Sequence, residues 1–337
     1  MHAFEDWSPH AHGKELFPLP LPVVSKRAFW MRTAQITTLV LSFCTALSGI
    51  ICWRKFAELA QSGILEDSVH FDAEKLRNLS HLVLVAGHAV VMADSLEHVL
   101  HRDSDWFLEP YQLHQDLPEA LVSHIHAGVR LAAFDPTALL IFSGGQTRAA
   151  AGPRDEGWSY YRLAEHFSWW GLSSQEQFPA DATVAQRTVT EDFALDSFQN
   201  LMFSLCRFKE VVGHYPERIT VVSFGFKKHR FGDLHRKALR FPSSRFSFVG
   251  IQPPPKSRFD LARAEQGELQ NSVSLFEADP YGCRSQVLVQ KRKDRNPFQR
   301  TNPYLLSCPE IKQLLQWCGP DIFPGPLPWS RRFTTEE

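Results

Sequence analysis

The chain has 337 residues, 44% hydrophobic and 22% charged, enough to bury a sizeable core even without roughly the first 60. Lysine plus arginine number 36 against 37 acidic residues, a formal charge of -1, which excludes the global positive field of a nucleic-acid binder and leaves nucleic acid out of the expected partners. Six scattered cysteines with no Cys-x-x-Cys pair argue against a structural zinc site or a dense disulfide framework and leave the redox compartment open.

Residues 1–32, with Pro9, Pro18, Pro20 and Pro22, read as a flexible leader. Residues 33–53, TAQITTLVLSFCTALSGIICW, carry no charge and lie between Arg32 and the pair Arg54 and Lys55. As a helix this stretch spans roughly 31 Å, just enough to cross a hydrocarbon core, with Trp30 and Trp53 bracketing it. The expectation is a single-pass membrane anchor, with a buried amphipathic helix as the alternative, because four threonines, two serines, Gln35 and Gly49 dilute the apolar content. Lys26, Arg27 and Arg32 on one side and Arg54 and Lys55 on the other set the orientation only weakly. The side of the membrane stays open, and an endomembrane location is compatible with the single glycosylation triplet Asn78-Leu79-Ser80.

Residues 54–276 read as an α/β domain. Four short apolar runs, HLVLVAGHAV (81–90), ALLIFSGGQTR (138–148), RITVVSFGFKKHR (218–230) and RFSFVGIQPP (245–254), look like buried parallel strands closed by loop residues. Residues 93–116 read as a charged surface insertion after the first strand. Helices are predicted over Leu117 to Phe134, Arg154 to Trp170, Glu191 to Val212 and Leu234 to Phe241. The third of these places Phe198, Leu201, Leu205 and Phe208 on one apolar face. Strand and helix alternation implies a mostly parallel sheet covered on both faces. Residues 277–337, with eight prolines, read as an extension packed on the domain, with one helix near Glu310 to Trp317. The basic cluster Lys291, Arg292, Lys293 and Arg295 reads as a solvated turn, with a binding patch as the alternative.

Ligands of open parallel sheets bind beyond the carboxyl ends of the strands, which selects four loops. Ser143, Gly144, Gly145 and Arg148 suggest an anion cradle of converging amides and a guanidinium; the plain alternative is a tight turn with a surface arginine. Lys227, Lys228, His229 and Arg230 form a second basic loop suited to phosphate or carboxylate, or simply to solvent. Glu156 opens a helix and could fix a hydroxyl, orient an arginine, act as a base or complement the helix dipole. Asp196 and Asn200, four apart on the helix expected to start at Glu191, share a polar face. Gly87 and His88 end the first strand, and His88 reads either as a base or as a hydrogen-bonded structural residue. No nucleotide-triphosphatase loop, dinucleotide fingerprint, nucleophile elbow or His-Glu-x-x-His pattern is present.

The ordered set Val-Ala-Gly-His, Ser-Gly-Gly with a following Glu, Glu with Asp-Ser-x-x-Asn, and Val-Val-Ser with a basic loop resembles the ElyC/SanA/YdcF family. GPRDEGWSYYRLA, EDFALDSFQN, YPERITVVSFGFKKHRF, DPYG and RNPFQRTNPY look like its fungal and plant branch, with the match covering roughly residues 78–310. The resemblance implies a Rossmann-like three-layer fold with a polar cleft formed by Gly87, His88, Ser143, Gly144, Gly145, Glu156, Glu191, Asp196, Asn200, Lys227 and Arg230. It also implies links to membranes in bacterial relatives and S-adenosylmethionine binding in one. Asp155-Glu156-Gly157 departs from the family's Ser-Glu-Ala, and Lys227 stands where bacterial members carry a histidine.

The expected function is thus a membrane-anchored α/β protein that binds, and transforms if it is an enzyme, an anionic or nucleotide-like small molecule. Here His88, Glu156 and Glu191 are the candidate catalytic groups, and Gly87, Ser143, Gly144, Gly145, Arg148, Asp196, Asn200, Lys227 and Arg230 hold the ligand. The alternatives are an S-adenosylmethionine-binding protein or methyltransferase and a noncatalytic membrane-tethered adaptor. A divalent cation enters only if Glu156, Glu191 and Asp196 converge.

Overall fold

A computed structural model describes residues 73–172 and 182–330. All belong to one compact unit, Phe71–Glu337, which includes the proline-rich C-terminal segment. In chain order the strands are β1 (His81–Ala86), β2 (Val90–Val91), β3 (Trp106–Phe107), β4 (Ala138–Ser143), β5 (Thr188–Glu191), β6 (Arg218–Phe224) and β7 (Phe246–Ile251). Five of them form a parallel sheet in the order β5-β4-β1-β6-β7, and β2 and β3 pair as a small antiparallel ribbon. This is a mixed α/β fold with a mostly parallel sheet flanked by helices, consistent with a Rossmann-like arrangement.

The period-two geometry of a strand sends alternate side chains to opposite faces. Leu82, Leu84, Leu139, Ile141, Ile219 and Val221 therefore meet Phe198, Leu201, Leu205 and Phe208 on one side. Val83, Val85, Leu140, Phe142 and Val222 meet Leu121, Ile125, Val129, Tyr160 and Leu163 on the other. The first set packs on helix α3 (Ser197–Val212), the second on α1 (Leu117–Ala133) and α2 (Glu156–His166). Each large side chain withdrawn from water contributes roughly 1.5–3 kcal/mol, so β1, β4 and β6, buried nearly end to end, anchor both cores. From β1 the chain runs outward through β4 to β5, then returns to the other side of β1 for β6 and β7. The reversal falls between β1 and β6, where their connecting loops diverge and leave a crevice.

Four sequence expectations need correction. Residues 188–191, expected to run straight into a helix at Glu191, form edge strand β5, since Thr188, Val189 and Thr190 favour extended backbone; α3 starts six residues later, capped by Asp196. The helix expected from Leu234 begins earlier, as a π-type turn over Arg230–His235. The cluster Lys291, Arg292, Lys293 and Arg295, expected as a solvated turn, forms the end of the helix Gln286–Asp294 and its C-cap, and the N-cap Ser285 accepts from the amide of Leu288.

The fourth correction concerns the membrane. Among the described residues no helix is long and apolar enough to cross one. The longest, α1, has 17 residues, contains Glu119 and Arg130, and at roughly 25 Å falls short of the hydrocarbon core. The readings of a membrane-anchored protein, of the membrane as its partner and of a single-pass or endomembrane location are corrected accordingly. The stretch 33–53 that motivated them, like the leader 1–32, lies outside the described residues.

Candidate functional site

The crevice between β1 and β6 holds a side-chain relay. Gly87 donates its amide to the carbonyl of Ser143 at 2.7 Å, which ties the β1 and β4 ends together and turns His88 toward β6. The His88 imidazole lies with Nε2 3.0 Å from Ser223 Oγ and Nδ1 3.2 Å from Lys227 Nζ. Its backbone is held on both sides, the amide donating to Tyr160 Oη at 3.2 Å and the carbonyl accepting from Gln112 Nε2 at 3.3 Å. Burial, then the charges of Lys227 and His124, push the imidazole well below its ordinary range, so His88 is neutral at pH 7. A neutral ring with Nε2–H given to Ser223 presents an Nδ1 lone pair to Lys227. The Lys227 ammonium, lying over Phe224 and Phe226 at 5.2 and 5.7 Å, is brought down to about 7, first by burial and then by the Arg230 guanidinium.

Beside it, the glycines and acids of the second loop do something other than cradle an anion. The amides of Gly144 and Gly145 donate to the carbonyls of Glu191 and Ala194, each at 2.9 Å, and are therefore spent within the chain. Their lack of a side chain serves packing: a Cβ on Gly144 would come within 2.5 Å of Glu156 Oε2, and one on Gly87 within 2.6 Å of Glu156 Cβ. The Glu156 carboxylate, only 6% exposed, thus lies across both glycines and accepts from Thr147 Oγ1 at 3.1 Å. Glu191 is fully buried and accepts from Ser143 Oγ at 2.6 Å, the Phe193 amide at 2.9 Å and Tyr304 Oη at 3.0 Å. Burial raises its carboxyl to about 7 against these three donors. Ser143 also reaches Asn200 Oδ1 at 3.2 Å, and Asn200 faces the crevice, so Glu191 acts on the crevice only through others.

The basic and acidic ligand candidates divide in two. Arg230 forms a forked pair with Glu268, Nε to Oε1 at 2.6 Å and Nη2 to Oε2 at 2.9 Å, and also donates to Ser197 Oγ. Arg148 pairs with Glu109 at 2.8 Å. Asp196 caps α3 by accepting from the Gln199 amide at 2.9 Å and pairs with Arg292 at 2.6 Å, which holds its carboxyl below the usual range despite burial. Among the described residues Lys227 has no carboxylate partner. The same holds for Lys291, bonded to the Asn271 carbonyl at 2.6 Å, and for Arg295, bonded to that of Leu195 at 3.1 Å. Burial, then Arg295 and Arg230, also lower the Lys291 ammonium. Glu156, Glu191 and Asp196 do not converge, and among the described residues no group of three or more metal-ligating side chains is placed to hold a cation.

These groups surround one cavity of about 760 Å³, within the range of small-molecule sites. It gathers Gly87, His88, Arg148, Glu156, Asp196, Asn200, Lys227 and Arg230, whereas Ser143, Gly144, Gly145 and Glu191 sit behind its wall. One side is aromatic, with Phe224, Phe226 and Phe259 stacked at centroid separations of 5.4 to 6.2 Å. Sequence reasoning missed Ser223, Lys291, Arg295 and the segment 109–115, which lends Tyr111, Gln112 and Gln115 to the rim. The strand-end position of Ser223 was the one signal available; residues 291 and 295 reach the cavity only through a helix far along the chain.

No family model matches the sequence, and no solved structure matches it. One similar protein is the yeast (Saccharomyces cerevisiae) "Uncharacterized protein YOR238W", 34% identical over 235 residues that cover 59% of this chain and 76% of the yeast one. By that identity and coverage, the chain belongs to the same family as the yeast protein YOR238W.

Proposed function

We propose that the cavity beyond the ends of β1, β4 and β6 binds an anionic small molecule carrying a flat ring, the chemical class to which nucleotides belong. The observation that carries this reading is the set of cations, Lys227, Lys291 and Arg295, that line one cavity without carboxylate partners among the described residues. Two carboxylates in the lining, Glu156 and Asp260, form no ion pair among the described residues, and Arg263 adds a further exposed cation. The balance stays positive, and a charge withdrawn from water without a partner is unfavourable until a ligand supplies one. The Phe224, Phe226 and Phe259 wall offers a stacking surface to a ring. Glu156 is placed to accept from a ligand hydroxyl.

The resemblance to the ElyC/SanA/YdcF family, and with it the finer assignment to a Rossmann-like three-layer fold, is part of this proposal. It is supported by the ordered motifs meeting at one end of a parallel sheet. S-adenosylmethionine is favoured less, because its sulfonium would add a cation to a cavity already rich in them. An adaptor that had lost its site would be expected to fill the cavity with aromatic side chains; here about 760 Å³ stays open, and charged side chains line it beside the aromatic wall.

Thermal unfolding of the full chain with nucleotides, sugar phosphates, S-adenosylmethionine and inorganic phosphate tests the reading. A ligand at a hundred times its Kd stabilises the native state by about 2.7 kcal/mol, and the shift should largely disappear in Lys227→Met and Arg295→Gln. Equal behaviour of all compounds and variants would overturn it.

A further inference from the structure

Lys227 has surroundings that an anion clamp does not need. Its Nζ stands 3.2 Å from the Nδ1 of His88, which accepts from the amine in the tautomer whose Nε2–H is given to the buried hydroxyl of Ser223. A lysine that only neutralises an anion is served by solvent or a carboxylate; one that must lose a proton is served by a neutral base at hydrogen-bond distance. The amine itself lies over the Phe224 and Phe226 rings, which keep water from one side of it, and Lys227 lines the cavity. Lys291 and Arg295, from the C-terminal segment, line the same cavity and are available to hold a second, charged part of a ligand while the first meets Lys227.

We propose that Lys227 is a nucleophile that forms an imine with an anionic carbonyl compound, an aldehyde or ketone bearing a carboxylate or phosphate, with His88 as the base. The proposal rests on the anion-binding reading above and names the substrate class of that site. In the step, the Nζ lone pair attacks the carbonyl carbon; the C–N bond forms and the carbonyl π pair moves to oxygen. His88 Nδ1 takes one proton from Nζ and passes it to that oxygen, giving a carbinolamine. The second Nζ proton follows the same route as the C–O bond breaks, water leaves, and a neutral imine remains. Both amine hydrogens end on the water, and no oxidant or other co-reactant is needed. A Lys227 ammonium brought near neutrality by burial keeps a useful fraction of free amine at pH 7.

The test is reductive trapping on the full chain. The protein is incubated with glyoxylate in one arm and glyceraldehyde 3-phosphate in the other, treated with borohydride, and mapped by peptide mass spectrometry. The expected result is a single reduced adduct on Lys227, absent from Lys227→Arg, which keeps a cation but forms no imine, and formed roughly a hundredfold more slowly in His88→Gln. Exposed Lys228, Lys237 and Lys293 serve as internal controls. Labelling spread evenly over those lysines, or none at all, overturns the proposal. A parallel thermal shift of the wild type with inorganic phosphate, which has no carbonyl, reports the anion pocket separately. A phosphate shift without trapping defeats the imine and leaves the anion reading standing, whereas trapping confined to Lys227 without a phosphate shift supports the imine at Lys227 and defeats the anion reading together with the anionic substrate class that rests on it.

Discussion

Several residues of the crevice turn out to be structural for reasons that their neighbours supply. Glu191 is the clearest case: three donors converge on a carboxylate at the end of an edge strand, and one of them, Tyr304, comes from 113 positions away. The sequence could mark Glu191 as notable but could not distinguish a base from a hub, because Tyr304 is what closes its environment. A carboxyl raised to about 7 from an ordinary 4.5 is protonated in the folded state where the unfolded chain is ionised, so its penalty grows as pH rises through that window. Glu191→Gln suits the same donors, since its carbonyl can face Phe193 and Tyr304 while its amide donates to Ser143, whose hydroxyl then turns to Asn200. It should match the wild type near pH 5 and exceed it at pH 8, by up to about 3 kcal/mol. Glu191→Ala leaves buried donors unpaired and should lose about 3 kcal/mol or more at any pH. Urea unfolding at the two pH values checks both. Arg230, expected from its loop to grip ligand, is committed to Glu268. Arg230→Met should therefore cost roughly 3–5 kcal/mol of stability by stranding a buried carboxylate, a loss read in unfolding, not in ligand affinity alone.

At the scale of elements, the core strands and the three long helices were legible because each carries its own period: fully apolar runs for β1, β4 and β6, and a 3.6-residue stripe for α3. What escaped were elements whose reason lies elsewhere in the chain. β5 has four residues and no flanking glycine or proline signal. The helix Gln286–Asp294 is strongly polar, so no apolar face announced it. Its purpose is visible only in space: Arg292 grips Asp196, Arg295 holds the Leu195 carbonyl, and Arg300 bonds the Asp192 carbonyl at 2.7 Å and carboxylate at 2.9 Å while lying over the Phe193 ring. The C-terminal segment thus clamps the 192–196 loop that leads into α3, and a disulfide between Cys283 and Cys318 ties that segment to itself. Its Tyr281, Leu288, Tyr304, Ile311 and Leu314 belong to the same core as β1. A chain ending at residue 276 should consequently fail to give a cooperative unfolding transition. Arg300→Ala in the full chain should fold, with faster amide exchange over 192–196 as the measurable consequence.

The whole molecule combines a neutral overall charge with a locally positive cavity, a contrast that composition alone could not reveal because most of the compensating pairs lie outside the cavity or are already closed. Its interior also holds several histidines that burial keeps neutral: His88 and His235 well below their ordinary range and His124 at about 4. The unfolded chain takes up protons at these groups from about pH 6.5 downward while the folded protein resists, so stability should fall as pH drops from 6.5 toward 4. His124 alone accounts for roughly 3 kcal/mol of that limb, and His124→Phe should move the acid midpoint to lower pH in a fluorescence-monitored titration. The central claim, that Lys227 is a cation with no carboxylate partner among the described residues until an anion arrives, is tested most directly by following the Lys227 Nζ resonance through a pH titration, with and without phosphate or a nucleotide. The account predicts a midpoint of about 7 in the free protein that moves upward when the anion binds. A midpoint near the ordinary lysine value of about 10.4, unchanged by any anion, would contradict it.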